Sequence, residues 1–201
     1  MPVFFEHIEL LGEKVRLRPI READAANAYR LLIDDAVLRW LSWDGPVSEA
    51  EIVETYRRWE SEFRISENCN LAIERVDEPS LVGCITARFP RHHRQADIGY
   101  WLGVPYWNRG YMTEAVRLVC HLAFKYLDAV RAYATVFAGN NGSRKVLEKN
   151  GFTVDGTLRH HVFKRGEFLD SWFLTLLRSE WEAERERFAP RHEDIVIVEG
   201  K

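Results

Sequence analysis

The chain has 201 residues, of which 46% are hydrophobic and 12% aromatic, and its formal net charge is −3. This length and composition predict one folded domain with a substantial core and exclude an intrinsically disordered protein. The nearly balanced charge gives no indication of nucleic-acid binding, and the apolar stretches are too short to span a bilayer.

The first half of the chain alternates between strand and helix patterns. Residues 1–9 carry no basic segment ahead of an apolar run, so we predict no secretory signal and a cytoplasmic location. Residues 14–20 alternate apolar and charged side chains, as a strand does. Ser48 and Glu51 have the spacing of a capping box at the start of a helix. Together the patterns predict a strand over residues 14–20, a helix over 22–33, a helix from 48 onward, and strands over 69–76 and 81–89.

The second half contains a strong apolar stripe at helical spacing, from Met112 to Leu127. A strand that begins near Asp97 precedes this helix, and Gly151 follows the next one, where a left-handed C-cap is expected. The remaining patterns predict a strand over residues 131–138, a helix over 141–149, strands over 152–163 and 168–178, and a helix over 179–188. The order β-α-α-β-β-β-α-β-α-β-β predicts an α/β fold with a mixed, mostly antiparallel sheet.

No repeat or linker divides the sequence, so a single domain is predicted over residues 1–201. Its core covers about residues 8–188 and its C-terminal tail residues 189–201. Cys69, Cys84 and Cys120 lack the close spacing of a metal site or disulfide framework and are expected to be reduced core thiols. We predict no metal site.

The connection between the Asp97 strand and the following helix is a candidate anion site. The first turn of a helix has unpaired N–H groups and partial positive charge. Gly110 lets a ligand approach the backbone closely, and Arg109 could contact a phosphate. An ordinary strand-to-helix connection is the alternative. The segment matches neither the nucleotide P-loop nor the Gly-x-Gly-x-x-Gly pattern.

Four segments together resemble the GNAT N-acetyltransferase superfamily and its RimJ/RimL-type branch. They are GEKVRLRPIREADA (residues 12–25), DIGYWLGVPYWNRGYMTEA (97–115), NNGSRKVLEKNGF (140–152) and DSWFLTLLRSEW (170–181). The resemblance covers nearly the whole chain up to about Phe188. It implies a sheet splayed between its central strands, flanking helices, and acetyl-CoA bound between the parted strands.

The resemblance also implies which residues bind acetyl-CoA. Backbone groups of Leu102, Gly103 and Val104 would pair with the pantetheine arm, and Asn140 would bond the cofactor's amide chain. The pyrophosphate would lie against the amides of Asn108, Arg109, Gly110, Tyr111, Met112 and Thr113. Trp107 and Met112 depart from the superfamily's usual residue types at the two ends of this loop.

For catalysis, the resemblance points to Ser143 as the hydrogen-bond donor to the departing thiolate, because Leu147 stands where many relatives have a tyrosine. Ser143 could instead be only a helix-start residue. Asp97 is the first candidate for the general base, although a surface aspartate is the alternative. The last two strands would build the acceptor pocket, with substrate contacts from His160 and Asp170 and further candidates at His161 and Glu167.

The predicted function is transfer of acetyl from acetyl-CoA to a primary amine by direct attack in a ternary complex. A protein N-terminal α-amine is the favoured acceptor. A small-molecule amine (polyamine or amino sugar) and a catalytically silent CoA-binding module are the alternatives. No nucleic acid or membrane partner is expected. A homodimer is possible if residues 194–198 (DIVIV) add a strand to a partner's edge.

Overall fold

A computed structural model describes residues 3–63 and 68–199. Within these residues the strands are β1 Val3–Leu11, β2 Val15–Pro19, β3 Asn68–Arg75, β4 Leu81–Arg88, β5 Gln95–Leu102, β6 Arg131–Phe137, β7 Thr153–Lys164, β8 Glu167–Leu177 and β9 His192–Glu199. The helices are α1 Ala25–Leu32, α2 Asp35–Leu38, α3 Glu49–Glu62, α4 Tyr111–Lys125, α5 Asn141–Glu148, α6 Arg178–Ala183 and α7 Arg185–Phe188. Among the described helices, none is long and apolar enough to cross a membrane.

The strands form one mixed sheet in the order β7-β8-β6-β5-β4-β3-β2-β1-β9. Every neighbouring pair is antiparallel except β5 and β6, which run parallel. The prediction of an α/β fold with a mostly antiparallel sheet is therefore confirmed.

Two hydrophobic clusters cover the two faces of the sheet. Successive side chains of a strand point to opposite faces, and β3 shows this division, because Leu71 and Ile73 join one cluster while Ala72 joins the other. We call the first the α4 cluster, since it contains the buried stripe of α4, including Val116 and Val119. The second, which we call the α1–α3 cluster, contains the buried residues of α1 and α3.

Local signals located most helix ends correctly. Ser48 Oγ accepts a hydrogen bond from Glu51 N at 3.3 Å at the start of α3, although the Glu51 carboxylate bonds Val47 N instead of completing the box. Gly151 follows α5 with a φ of +84°, which confirms the left-handed C-cap. The three cysteines are buried, and none forms a disulfide in the described part of the chain.

Of the two strands at the far edge of the sheet, β1 was not predicted, and the tail segment was predicted as a strand only against a partner. β1 and β9 pair with each other, so Ile8 lies opposite Ile195. Residues 194–198 pair with the first strand of their own chain, and β9 is the outermost strand of the sheet, so pairing of its other edge with a partner stays a prediction.

A buried carboxylate fixes the first turn of α4 to the β1–β2 turn. Glu114 accepts hydrogen bonds from the backbone N–H groups of Glu13, Lys14 and Val15 at 2.7 to 2.9 Å. Gly12 lies so close that an added Cβ would stand 2.6 Å from the Glu114 carboxyl carbon. Because this contact joins segments about 100 residues apart, it holds the start of α4 in a defined position beside the sheet.

Candidate active site

The pairing between β5 and β6 stops early and opens a cleft in the middle of the sheet. Only Gln95, Ala96 and Asp97 pair with β6, opposite Arg131, Ala132 and Tyr133. Beyond them β5 stays paired with β4 up to Leu102, and β6 stays paired with β8 up to Phe137. The facing edges of the two strands therefore diverge, as the resemblance implies.

The resulting cleft has a volume of about 680 Å³ and passes from one face of the sheet to the other. Tyr100 and Trp101 both line it, yet Tyr100 packs against the α4 cluster and Trp101 against the α1–α3 cluster. Asp97 has the same side-chain direction as Trp101 because the two are four residues apart along a strand. The cleft is therefore lined from both faces of the sheet, which leaves room for two substrates to approach from opposite sides.

The start of α4 has the geometry of an anion site at the open end of the cleft. Gly110 caps the helix in the left-handed conformation with a φ of +83°, and Asn108 is left-handed too, at +59°. The first N–H groups of a helix have no carbonyl partner within it and attract anions. Lys14 adds a cation here, since its Nζ donates to Arg109 O at 3.0 Å. An exposed glycine, free amides and a nearby lysine together fit a diphosphate.

The segment between β5 and α4 uses many of its own backbone groups. Leu102 O accepts from the Trp107 indole Nε1 at 2.7 Å, and Gly103 N donates to Val82 O at 2.9 Å. The carbonyls of Gly103 and Val104 accept from Tyr106 and Trp107. Trp107, which departs from the superfamily pattern, thus fixes the shape of the loop. A carbonyl oxygen has two lone pairs, so these bonds leave acceptor capacity for a ligand.

Asn140 and Ser143 meet at the start of α5. The Asn140 side chain caps the helix, accepting from Ser143 N at 3.1 Å through its Oδ1. The Asn140 Nδ2 group keeps two hydrogens for donation to another acceptor. Ser143 Oγ lies 2.8 Å from Tyr100 Oη, a contact that the sequence did not predict. Leu147 is fully buried in the α4 cluster and takes no part in the cleft.

Asp97 lines the cleft on the α1–α3 side and is paired with Arg88. Arg88 Nε and Nη2 donate to Asp97 Oδ2 at 2.9 and 2.7 Å, so Oδ1 keeps its lone pairs. The Arg88 guanidinium lies over Gly99, since its nitrogens would stand 3.8 and 3.9 Å from a Cβ added there. Arg88 and Asp97 are the two charged residues that line the cleft in the described part of the chain.

The last two strands contribute differently from what we predicted. His160 and Asp170 do not line the cleft: Asp170 Oδ1 accepts from His160 N at 2.8 Å, and the His160 ring stacks on Phe168. The neighbouring His161 lines the cleft instead, with Nδ1 3.1 Å from Ser171 Oγ. The reason is that β7 is irregular here, with a left-handed His160 and a register shift between residues 158 and 162.

Glu167 begins β8 at the exposed hairpin turn, and it is not among the residues that line the cleft. In the described ranges, no group of three or more His, Cys, Asp or Glu side chains is arranged to hold a metal ion.

Comparison with known proteins matches the chain to one family and several relatives. The model of the acetyltransferase (GNAT) domain family matches residues 14–153. YdaF of Bacillus subtilis (strain 168), a candidate ribosomal N-acetyltransferase by its name, is 27% identical over 87% of this chain and 97% of its own length. Spermidine N(1)-acetyltransferase of Escherichia coli (strain K12) is 23% identical over 86% of this chain and 91% of its own.

Among solved structures, RimJ of Mycobacterium smegmatis in complex with CoA-disulfide superposes with a TM-score of 0.75. The two proteins are 23% identical, and the match covers 92% of this chain and 95% of that one. At this identity the likeness supports the fold alone.

Proposed function

The chain belongs to the GNAT acetyltransferase family, and from this premise we propose that it transfers acetyl from acetyl-CoA to the N-terminal α-amine of a protein. Membership makes it an N-acetyltransferase that uses acetyl-CoA. The proposal adds the acceptor and the roles of individual residues.

The α4 side of the cleft is the proposed place for acetyl-CoA. Its pyrophosphate lies against the amides from Asn108 to Thr113, with Arg109 and Lys14 as nearby cations. Pantetheine runs along the parted edge of β5 from Leu102 to Val104, and Asn140 Nδ2 donates to its amide carbonyl. Unpaired N–H groups on this edge stabilise the negative charge that develops on the thioester oxygen.

The reaction is direct attack by the neutral amine. A carbon–nitrogen bond forms, the carbon–sulfur bond breaks, and sulfur leaves with the electron pair. Ser143 O–H donates a hydrogen bond to that sulfur. The position one turn later, Leu147, has no donor to offer. Holding both reactants in one cleft lowers the entropic part of the barrier.

Asp97 is the proposed general base. It lies on the α1–α3 side, opposite the Ser143 side, so the acceptor enters from the face that Asp97 and Trp101 share. Its Oδ1 can take the proton of the amine, directly or through one water molecule. An α-amine has a pKa near 8 and loses its proton more readily than a lysine side chain with a pKa near 10.4. An α-amine therefore demands less of the general base, which suits Asp97, a carboxylate already bonded to Arg88.

The charge of the cleft is the observation that carries the choice of acceptor. A polyamine brings two or more ammonium groups, and each one buried without a partner is costly. In the described part of the chain, the cleft offers one carboxylate, Asp97, and that carboxylate is bonded to Arg88. The remaining lining is largely apolar and aromatic, including Trp40 and Leu41 from the segment after α2. One amine on a mostly apolar chain fits this lining better than a polycation does.

A thiol-release assay with acetyl-CoA tests this proposal. The acceptors are peptides with a free α-amine, the same peptides with that amine blocked and one lysine retained, spermidine and an amino sugar. We expect kcat/KM for the best free peptide to exceed that of every other acceptor by about tenfold or more. Faster turnover of spermidine would assign the enzyme to polyamines, as the name of its Escherichia coli relative suggests. Binding of CoA without thiol release for any of these amines would favour a catalytically silent CoA-binding module.

A further inference from the structure

Tyr100 is a phenol in the cleft that no proposed step uses. Its hydroxyl lies 2.8 Å from Ser143 Oγ and 3.3 Å from the Ser143 carbonyl oxygen. The ring comes from β5 and Ser143 from the start of α5, so the contact joins the two walls of the cleft at the proposed thiol position. Among the described residues, this phenol is the hydrogen-bond partner of Ser143 Oγ.

The direction of the bond decides what Ser143 can do. A serine hydroxyl has one hydrogen and two acceptor lone pairs, and a phenol has one hydrogen to donate. If Tyr100 donates to the Ser143 carbonyl, then the Ser143 hydrogen is used on the phenol oxygen. If Tyr100 donates to Ser143 Oγ, the Ser143 hydrogen is free to point into the cleft.

The phenol stays a donor at neutral pH. Although its ring is partly accessible from the cleft, desolvation of the hydroxyl raises the pKa of Tyr100 above its usual value of 10. A thiol has a pKa near 8.5. Moving a proton from this phenol to the departing thiolate would therefore run uphill and leave a buried tyrosinate. Tyr100 can act by orienting and polarising Ser143 without giving up its proton.

We propose that Tyr100 is a positioning residue that donates to Ser143 Oγ and thereby directs the Ser143 hydrogen at the departing sulfur. The inference rests on the role of Ser143 in the proposed function. It does not depend on which amine is the acceptor. Without the phenol, the Ser143 hydroxyl rotates among its staggered positions and is aimed at the sulfur only part of the time.

A purely structural role is the alternative, in which the hydrogen bond of Tyr100 only connects β5 to α5. Loss of that connection would change the width of the cleft and therefore the KM for acetyl-CoA. A lost orientation of Ser143 changes kcat and leaves that KM nearly constant, because the hydrogen bond to sulfur forms only as the bond to carbon breaks.

The experiment is a double-mutant cycle with Tyr100→Phe, Ser143→Ala and the combination, measured with whichever amine is turned over fastest. Tyr126→Phe is the matched control, because it removes a phenol at the C-terminal end of α4, outside the cleft. Thermal unfolding and CoA binding of each variant establish that the fold and the cofactor site persist.

We expect Tyr100→Phe to lower kcat about five- to tenfold, the effect of one neutral hydrogen bond, with the KM for acetyl-CoA changed less than about twofold. In the Ser143→Ala background, the same change should have no further effect on kcat. Tyr126→Phe should match the wild type.

Two results would overturn the inference in different ways. If kcat of the double variant fell by the product of the two single effects, Tyr100 would act independently of Ser143, and the role of Ser143 would stand. An unchanged kcat in Ser143→Ala would remove that part of the proposed function and the inference with it. If Tyr100→Phe were unstable, Ser143→Thr would provide the second measurement, since it keeps the hydroxyl and should keep most of the kcat that Ser143→Ala loses.

Discussion

The left-handed glycine at the start of α4 permits a sharp test of the pyrophosphate site. Gly110 has a φ of +83° and is exposed, and among the described residues an added Cβ would meet only Lys14 Nζ, at 3.3 Å. Gly166 in the β7–β8 turn has nearly the same conformation, with a φ of +86° and no atom of residues 3–63 and 68–199 within 4 Å of an added Cβ. Gly110→Val and Gly166→Val therefore impose similar backbone strain at two places, and only the first is in the proposed site.

The expected magnitudes separate stability from binding. A β-branched residue forced into the left-handed region costs about 1–2 kcal/mol, so both variants should lose about that much unfolding free energy. In Gly110→Val, relaxation of this strain also turns the first amides of α4 away from the ligand. Losing one or two hydrogen bonds to a charged group costs about 1.5–3 kcal/mol, which corresponds to about a 10- to 100-fold weaker Kd for CoA.

The assay pairs titration calorimetry of CoA with urea denaturation of each variant. We expect both variants to lose equal unfolding free energy, and only Gly110→Val to bind CoA with a weaker Kd. Equal CoA affinity in the two variants would refute the assignment of the pyrophosphate to the amides at the start of α4, because strain at that position would then have no effect on the ligand.

Three further predictions follow from other contacts. Asp97→Asn should displace the acid limb of the pH profile of kcat/KM, whereas His161→Gln should leave it in place; the reverse pattern would transfer the role of base to His161. Burial holds the pKa of His121 below its usual 6.5 despite the Glu193 carboxylate 2.7 Å from its Nε2. Unfolded chains therefore take up the proton first, so the unfolding free energy should fall as the pH drops from 7 to 5. His121→Gln should flatten that decline, and an unchanged slope would contradict the assignment. Glu114→Gln leaves one acceptor oxygen for three N–H groups, one buried and two partly buried, and should cost about 2–4 kcal/mol in urea denaturation; a loss below about 1 kcal/mol would show that the turn relaxes around the amide.

The cleft contains side-chain contacts that could not be predicted from the sequence. The residue types near Asp97 and Ser143 indicated two candidate roles, yet nothing local indicated that Arg88 would bind Asp97 or that Tyr100 would bind Ser143. The resemblance implied the acceptor-pocket candidates of the last two strands, among them His160 and His161, without indicating which of the two would line the cleft. The left-handed backbone at His160 directs His161 to the cleft.

The sequence by itself determined the elements with strong local periodicity and local caps. The apolar stripe of α4, the Ser48 cap of α3 and the left-handed Gly151 after α5 depend on interactions within a few residues, so their positions could be predicted from the chain alone. Only the tertiary structure decided the partners of β1 and β9, the point where β5 leaves β6, and the contact of Tyr100 with Ser143 across 43 residues of chain. Strand register and cross-chain contacts arise from packing between distant segments, and no short stretch of sequence carries that information.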